Sequence, residues 1–183
     1  MNKWTRRAFL AGAGSGLVAC GNGIGNTRGA RIDHRVDLAL TQMFNEVPGT
    51  RDLADRAAGM LVMPTVTKGG FGLGAAYGEG ALLIGNAPVD YYNLAQGSWG
   101  FQLGLQQYAH TLFFMNDESL ADFRRSSGWQ LGADAEYVIK NAGDTLSVDS
   151  TELRSPVVAV IYGRAGLIAG ATLEGTKYSR ILR

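Results

Sequence analysis

The chain has 183 residues, enough for one domain. Glycine stands out at 26 residues against 4 prolines, about twice the usual glycine share but without the proline of a collagen-like or low-complexity chain. With 46% hydrophobic and 18% charged residues it has the material for a core, which excludes wholesale disorder. One cysteine excludes an intrachain disulfide and a cysteine-based zinc cluster, and two histidines far apart in sequence do not make a His-rich metal motif. A formal net charge of +1 gives no global basic field to recruit nucleic acid. No metal, cofactor or nucleic-acid partner is therefore expected.

Residues 1–19 read as an export signal rather than as fold. Lys3, Arg6 and Arg7 precede an apolar run, Phe9 to Ala19, of 11 residues, too short for the roughly 20 helical residues that span a bilayer. Thr5-Arg6-Arg7-Ala8-Phe9-Leu10 resembles a twin-arginine signal, with Arg6 and Arg7 as its pair. Leu17-Val18-Ala19-Cys20 resembles a bacterial lipobox. Cleavage then falls between Ala19 and Cys20, diacylglycerol is thioether-linked to Cys20, and the new amine is acylated with a palmitate-type chain. Three chains exceed the two lipid signals that stable anchoring takes. Gly21 occupies the position where an aspartate would retain a lipoprotein at the inner membrane, so it favours the periplasmic face of the outer membrane. Cleavage removes Lys3, Arg6 and Arg7 and no acid, leaving 14 basic against 16 acidic residues in 164, a net charge of −2. Residues 20–30, small and polar, are expected to tether the lipid to a domain over 31–183.

The first expected element of that domain is a helix over 31–46, where Ile32, Val36, Leu40 and Met43/Phe44 form one apolar stripe. Pro48-Gly49 ends it, and Thr50 is placed to cap a short helix through Ala58, with Asp52 in its first turn. Met60 to Met63 reads as a buried strand ending at Pro64. From Gly69 to Thr111 glycine, aromatic and alternating apolar residues predict strands, with a turn at Gly85-Asn86-Ala87-Pro88. A third helix starts at Asn116 or Asp117, carrying Asp117 and Glu118 at its positive end and Arg124-Arg125 at its negative end. Strands resume from Trp129 to Ile139, turn at Asn141-Ala142-Gly143-Asp144, and finish with Val157 to Tyr162 and Leu167 to Leu173.

A pentad, Gly-apolar-x-apolar-Gly, recurs four times. It reads Gly70-Phe71-Gly72-Leu73-Gly74, Gly100-Phe101-Gln102-Leu103-Gly104, Gly128-Trp129-Gln130-Leu131-Gly132 and Gly166-Leu167-Ile168-Ala169-Gly170. Within a strand the two apolar residues of each pentad share one face and the glycines the other. Repeated strand glycines mark bends and close approaches. The expected fold class is α+β: a strongly curved, mostly antiparallel sheet or small barrel with two or three short helices.

Motifs for chemistry are weak. No Lys-Ser/Thr follows Gly80, so Gly70 to Gly80 is not a phosphate loop, and Tyr77 stands where a dinucleotide fingerprint needs glycine. There is no Gly-x-Ser-x-Gly elbow. His34, off the helical stripe, reads as solvated, and His110 as a polar residue ending a strand. Glu79 and Glu174 each precede a glycine among apolar residues. They pair as a glycosidase-type acid and base, or hydrogen-bond backbone at tight turns, the blander alternative. Lys68, Arg164 and Lys177 lie near glycine-rich turns, where they are placed to meet an anionic headgroup.

From Ala58 onward the sequence resembles the SYLF family of lipid-binding domains. The likeness is carried by Ala58-Gly59-Met60-Leu61-Val62-Met63-Pro64, Thr67-Lys68-Gly69-Gly70-Phe71-Gly72-Leu73-Gly74 and Tyr77-Gly78-Glu79-Gly80-Ala81-Leu82-Leu83. It resumes at Tyr92-Asn93, Gly97-Ser98-Trp99-Gly100, Trp129-Gln130-Leu131-Gly132 and residues 166–175, and runs from about Arg31 to Ile181. The resemblance implies a lipid-binding domain with no catalytic residues to carry over. It also implies lipid contact by an amphipathic N-terminal segment, for which 31–46 is the counterpart, with Arg31 and Arg35 as its basic residues against Asp33, Asp37 and Glu46.

The expected function is a non-enzymatic, membrane-anchored lipoprotein of the bacterial envelope. Its domain binds phospholipid or another amphiphile through Arg31, Arg35, Lys68, Arg164 and Lys177. A second expectation is a structural protein whose partner is another envelope protein. A third is a carboxylate-based hydrolase using Glu79 or Glu174.

Overall fold

The computed structural model describes residues 27–71, 73–99, 104–134, 137–141, 155–166, 173 and 175–182. Among the described residues three helices, α1 (Thr27–Glu46), α2 (Thr50–Arg56) and α3 (Asp117–Arg125), accompany eight strands. These are β1 (Gly59–Phe71), β2 (Leu73–Ile84), β3 (Ala87–Trp99), β4 (Gly104–Phe114), β5 (Trp129–Gln130), β6 (Tyr137–Asn141), β7 (Val157–Gly166) and β8 (Lys177–Ile181). They form one sheet in the order β5-β8-β3-β2-β1-β4-β7-β6, antiparallel throughout except for the parallel β6–β7 pair.

The sheet is strongly curled, as two contacts require. β4 and β8 are four places apart in the order, about 19 Å in a flat sheet at roughly 4.8 Å per strand. Yet His110 Nε2 on β4 lies 2.8 Å from the Tyr178 hydroxyl on β8. Phe114 on β4 and Trp129 on β5, five places apart, have ring centroids 6.1 Å apart. Residues from strands across the sheet therefore meet in one concave core, closed by Leu120 and Phe123 of α3. Among the described residues the end strands β5 and β6 do not pair with each other, so the described sheet is an open curl. A second core covers the convex face, where Ile32, Val36, Ala39 and Met43 of α1 and Leu53 of α2 pack on Val62, Ala81, Phe113 and Val160. The sheet is thus buried on both faces, which explains its unbroken apolar runs such as Val157 to Tyr162.

Bending is built into β1. Met63 and Val66 are three residues apart, yet both enter the concave core. Strict alternation would send them to opposite faces. One extra residue on β1, relative to both neighbours, restores the phase around Pro64-Thr65. The strand does not end at Pro64, contrary to expectation: a bulge accommodates a residue that has no N–H to give the ladder. The β2–β3 hairpin turns at Gly85 (φ 55°) and Asn86 (φ 67°), the paired left-handed conformation of a two-residue hairpin turn. Ala87 and Pro88, expected in the turn, already belong to β3.

Other expectations need correction. α1 begins at Thr27, so 27–30 of the expected tether are helical. Gly29 extends the buried stripe because, lacking a Cβ, it packs close to the Tyr91 ring and hydroxyl. Thr50 is inside α2 rather than its cap: Gly49 (φ 87°) precedes the helix and the Thr50 hydroxyl donates to the Val47 carbonyl. α2 stops at Arg56, not Ala58. The expected strand from Trp129 to Ile139 is split into β5 and β6 by a turn at 132–134, where Gly132 takes φ 84° and the Asp134 carboxylate accepts from the Gln130 amide at 2.6 Å. β8 was not foreseen; its alternation is short and its partners, β3 and β5, are far away in sequence. α3 is capped as expected by Asn116, whose side chain accepts from Ser119 N at 2.8 Å.

The pentads also behave differently. Gly70 pairs with both Gly74 and Gly104, and Gly166 pairs with Gln106. Gly70, Gly74, Gly104 and Gly166, the described glycines of three pentads, therefore gather at strand ends on one end of the sheet. In the fourth, Trp129 and Leu131 share the concave core as predicted. The turn expected at 141–144, beyond Asn141, and the strand expected from Leu167 to Leu173, before Leu173, lie outside the described residues.

Candidate functional site

The convex site is built on α1. Its buried stripe of Gly29, Ile32, Val36, Ala39 and Met43 fixes the helix on the sheet. One position earlier on each turn stand Arg28, Arg31, Arg35 and Leu38, a single exposed flank at spacings of three, four and three. Leu38 is 58% exposed. The Arg31 Nε–H donates to the Thr27 carbonyl at 3.2 Å and the Arg35 Nε–H to the Arg31 carbonyl at 3.3 Å, so both side chains lie back toward the helix N-terminus.

Three arginines gather at that end, with the Glu79 carboxylate of β2 lining the same cleft. The first turn carries no acidic residue, and the helix dipole already places partial positive charge there. Asp33, the nearest acid on the helix, is engaged by the Tyr91 hydroxyl, which lies 3.0 Å from each carboxylate oxygen. A sequence selected for stability alone would put Asp or Glu in this turn, and a local rule broken in this way is typical of functional sites. Thr27, Arg28, Ala30, Arg31, His34 and Arg35, with Glu79 of β2, line a cleft of about 710 Å³.

The structure brings Arg31 and Arg35 together and adds Arg28, which the late expected helix start had left in the tether. Its spacing to Arg31 and Arg35 was the signal that would have found it. Lys68 stands elsewhere, on the concave face of β1 and only 6% exposed. Arg164 is exposed on β7, and Lys177 is exposed at the start of β8, beside Gly128. These three share no site with the α1 flank. Cys20, Arg6, Arg7 and Ala19 lie outside the described residues, as does Glu174. Glu79 is on the convex side, where Tyr77 donates to its Oε1 at 2.8 Å.

His34 is exposed on α1, as expected. His110 is not at a strand end. It is fully buried within β4, and burial lowers its pKa to about 3. It is therefore a neutral ring at physiological pH, bonded to Tyr178. Burial likewise pushes Tyr108 up to about 12. Among the described residues no cluster of three His, Cys, Asp or Glu is placed to hold a metal, and no helix is long and apolar enough to cross a membrane.

Residues 95–180, from the end of β3 into β8, match the family model Ysc84, described as Las17-binding protein actin regulator. No curated protein matches the chain. The matched family is associated with binding lipid and protein in general.

Proposed function

We propose, with the Ysc84 match over residues 95–180 as premise, that the protein is a non-enzymatic lipoprotein of the bacterial envelope. Cys20 anchors it, and the arginine flank of α1 binds anionic phospholipid on the periplasmic face of the outer membrane. The observation that carries this reading is the convergence of Arg28, Arg31 and Arg35 on one exposed flank at a helix N-terminus with no acid in its first turn. The chain length from the anchor supports it. Six residues lie between Cys20 and Thr27, so seven chain steps give a reach of at most about 25 Å. The arginines are therefore held close to any bilayer into which Cys20 is inserted. Each basic side chain near an anionic surface contributes about 1 kcal/mol, and Leu38 continues the same flank as an exposed apolar contact.

Vesicle flotation tests the flank. Unlipidated Cys20→Ser protein is expected to float with phosphatidylglycerol-containing vesicles, less so as salt rises, and not with pure phosphatidylcholine. Reversing the three arginines (R28E/R31E/R35E) should weaken binding by more than about a hundredfold, since losing three charges at about 1 kcal/mol each already does so and the glutamates add repulsion. Equal flotation of the variant and the parent protein would sink the reading. For the anchor, mass spectrometry of protein made in its own host should show acylation on Cys20 that disappears with Cys20→Ser. An unmodified thiol is the contrary result.

The family description favours one second reading, a protein partner, because it names proteins that bind another protein. In that case the domain co-purifies with an envelope protein and ignores every vesicle.

A further inference from the structure

The concave face carries a cluster that the outer arginine flank does not touch. Lys68 on β1 pairs directly with Ala76 on β2 and with Gln106 on β4. Unbroken register from Val66, which lies in the concave core, puts Lys68 on that same face. Lys68 is 6% exposed and has no hydrogen-bond or ion-pair partner among the described residues. Beside it, Gln106 Oε1 and the Tyr108 hydroxyl are buried without partners. Buried polar groups are normally satisfied and buried charges normally paired. This cluster leaves an amide oxygen and a hydroxyl unmet beside a lysine side chain.

The glycines complete the arrangement. Two positions beyond Lys68, Ala76 and Gln106 on the same face stand Gly70, Gly74 and Gly104, mutually paired. No side chain from these three positions stands over the lysine, and their backbone permits close approach.

We propose that this end of the curled sheet is a binding site for one phosphate group, with the Lys68 ammonium supplying charge, the Tyr108 hydroxyl donating to a phosphate oxygen and Gln106 Oε1 accepting from a protonated one (P–OH). Phosphate suits the set because its ionised oxygens accept from the ammonium and the Tyr108 hydroxyl, the stronger kind of hydrogen bond, while a P–OH, present on both inorganic phosphate and a phosphomonoester near neutral pH, donates to Gln106 Oε1. Tyr108 donates throughout the physiological range, because burial keeps its hydroxyl protonated. The same group is offered by a phospholipid headgroup or by free phosphate.

Thermal unfolding of the purified protein decides between sources and tests the site. The probes are inorganic phosphate and dihexanoyl phosphatidic acid below its micelle concentration. A probe at a hundredfold its Kd should raise Tm by roughly 5–10 °C. A rise with both probes identifies the phosphate group as sufficient, and a rise with the lipid alone identifies the headgroup as the source. Lys68→Met should abolish the rise. R31E/R35E should keep the full rise, which separates this site from the α1 flank. No rise with either probe, or an undiminished rise in Lys68→Met, overturns the proposal. Should that variant not fold, Tyr108→Phe serves in its place, with about tenfold weaker binding expected and unchanged binding overturning the site.

Discussion

Gly80→Ala is expected to leave little folded protein. Gly80 sits on β2 opposite the bulge of β1, on the concave face. A Cβ added there would lie 2.1 Å from the Val62 carbonyl oxygen and 2.6 Å from Met63 Sδ. The first neighbour is backbone of the central bent strand and cannot swing aside. Overpacking a core ordinarily costs about 1–3 kcal/mol, and a backbone clash within van der Waals contact belongs at or above the top of that range. Against a total stability of about 5–15 kcal/mol, that is a large fraction. Gly97→Ala is the matched control, because a Cβ there meets nothing within 4 Å and no left-handed backbone is involved. Its change should stay within about 0.5 kcal/mol. Soluble yield and urea midpoints of the two variants make the comparison. Equal midpoints would show that β1 and β2 are not held as close as the structure has them.

His110 should give the protein a distinct acid sensitivity. Its folded pKa is about 3, because full burial disfavours the imidazolium, whereas an unfolded histidine titrates near 6.5. The folded state therefore stays neutral while the unfolded state takes up a proton below pH 6.5. Stability is complete above that value and is lost as the pH falls toward 3, with a limiting slope of about 1.4 kcal/mol per pH unit. The cause is local: the ring is enclosed between β4 and β8, one nitrogen bonded to Tyr178 and Nδ1 buried without a partner. His110→Gln keeps an amide in reach of Tyr178 and removes the titration. It should be modestly less stable at pH 7 but show a flatter profile between pH 6.5 and 4. Urea unfolding across that range measures both slopes, and parallel slopes would falsify the assignment. Other acid-sensitive contacts, such as Asp90 with Arg124 and Arg180, are common to both proteins and cancel in the difference.

The two glycine sites of interest, Gly80 under the bulge and the Gly70–Gly74–Gly104 group at the sheet end, show how far local reading reaches. Glycine in strand-like sequence announces bends and close approaches without saying what approaches. That Gly80 admits Val62, and that three glycines from three strands meet over Lys68, depends on strand pairing between residues up to about forty positions apart. Lys68 illustrates the same limit from the side of charge. Beside glycines in a sequence it reads as a turn residue open to solvent. The one-residue phase shift at Pro64-Thr65 and the pairing from Val66 onward put it inside the curl.

Helical periodicity placed α1 and α3 well, because an amphipathic stripe and a capping residue act within a few positions of each other. The start of α1 was misplaced by four residues, since Gly29 carries no hydrophobic signal. It joins the stripe only because Tyr91, from a strand more than sixty residues away, lies against it. With that start went Arg28 and the recognition that three arginines share a flank. The fold class followed from composition and alternation, which are local and additive. The curl itself, the burial of His110 and the sorting of five candidate basic residues into one shared flank, one interior site and two separate surface positions followed from long-range pairing. Those contacts form only when the sheet closes around its own side chains, and no stretch of sequence contains both partners.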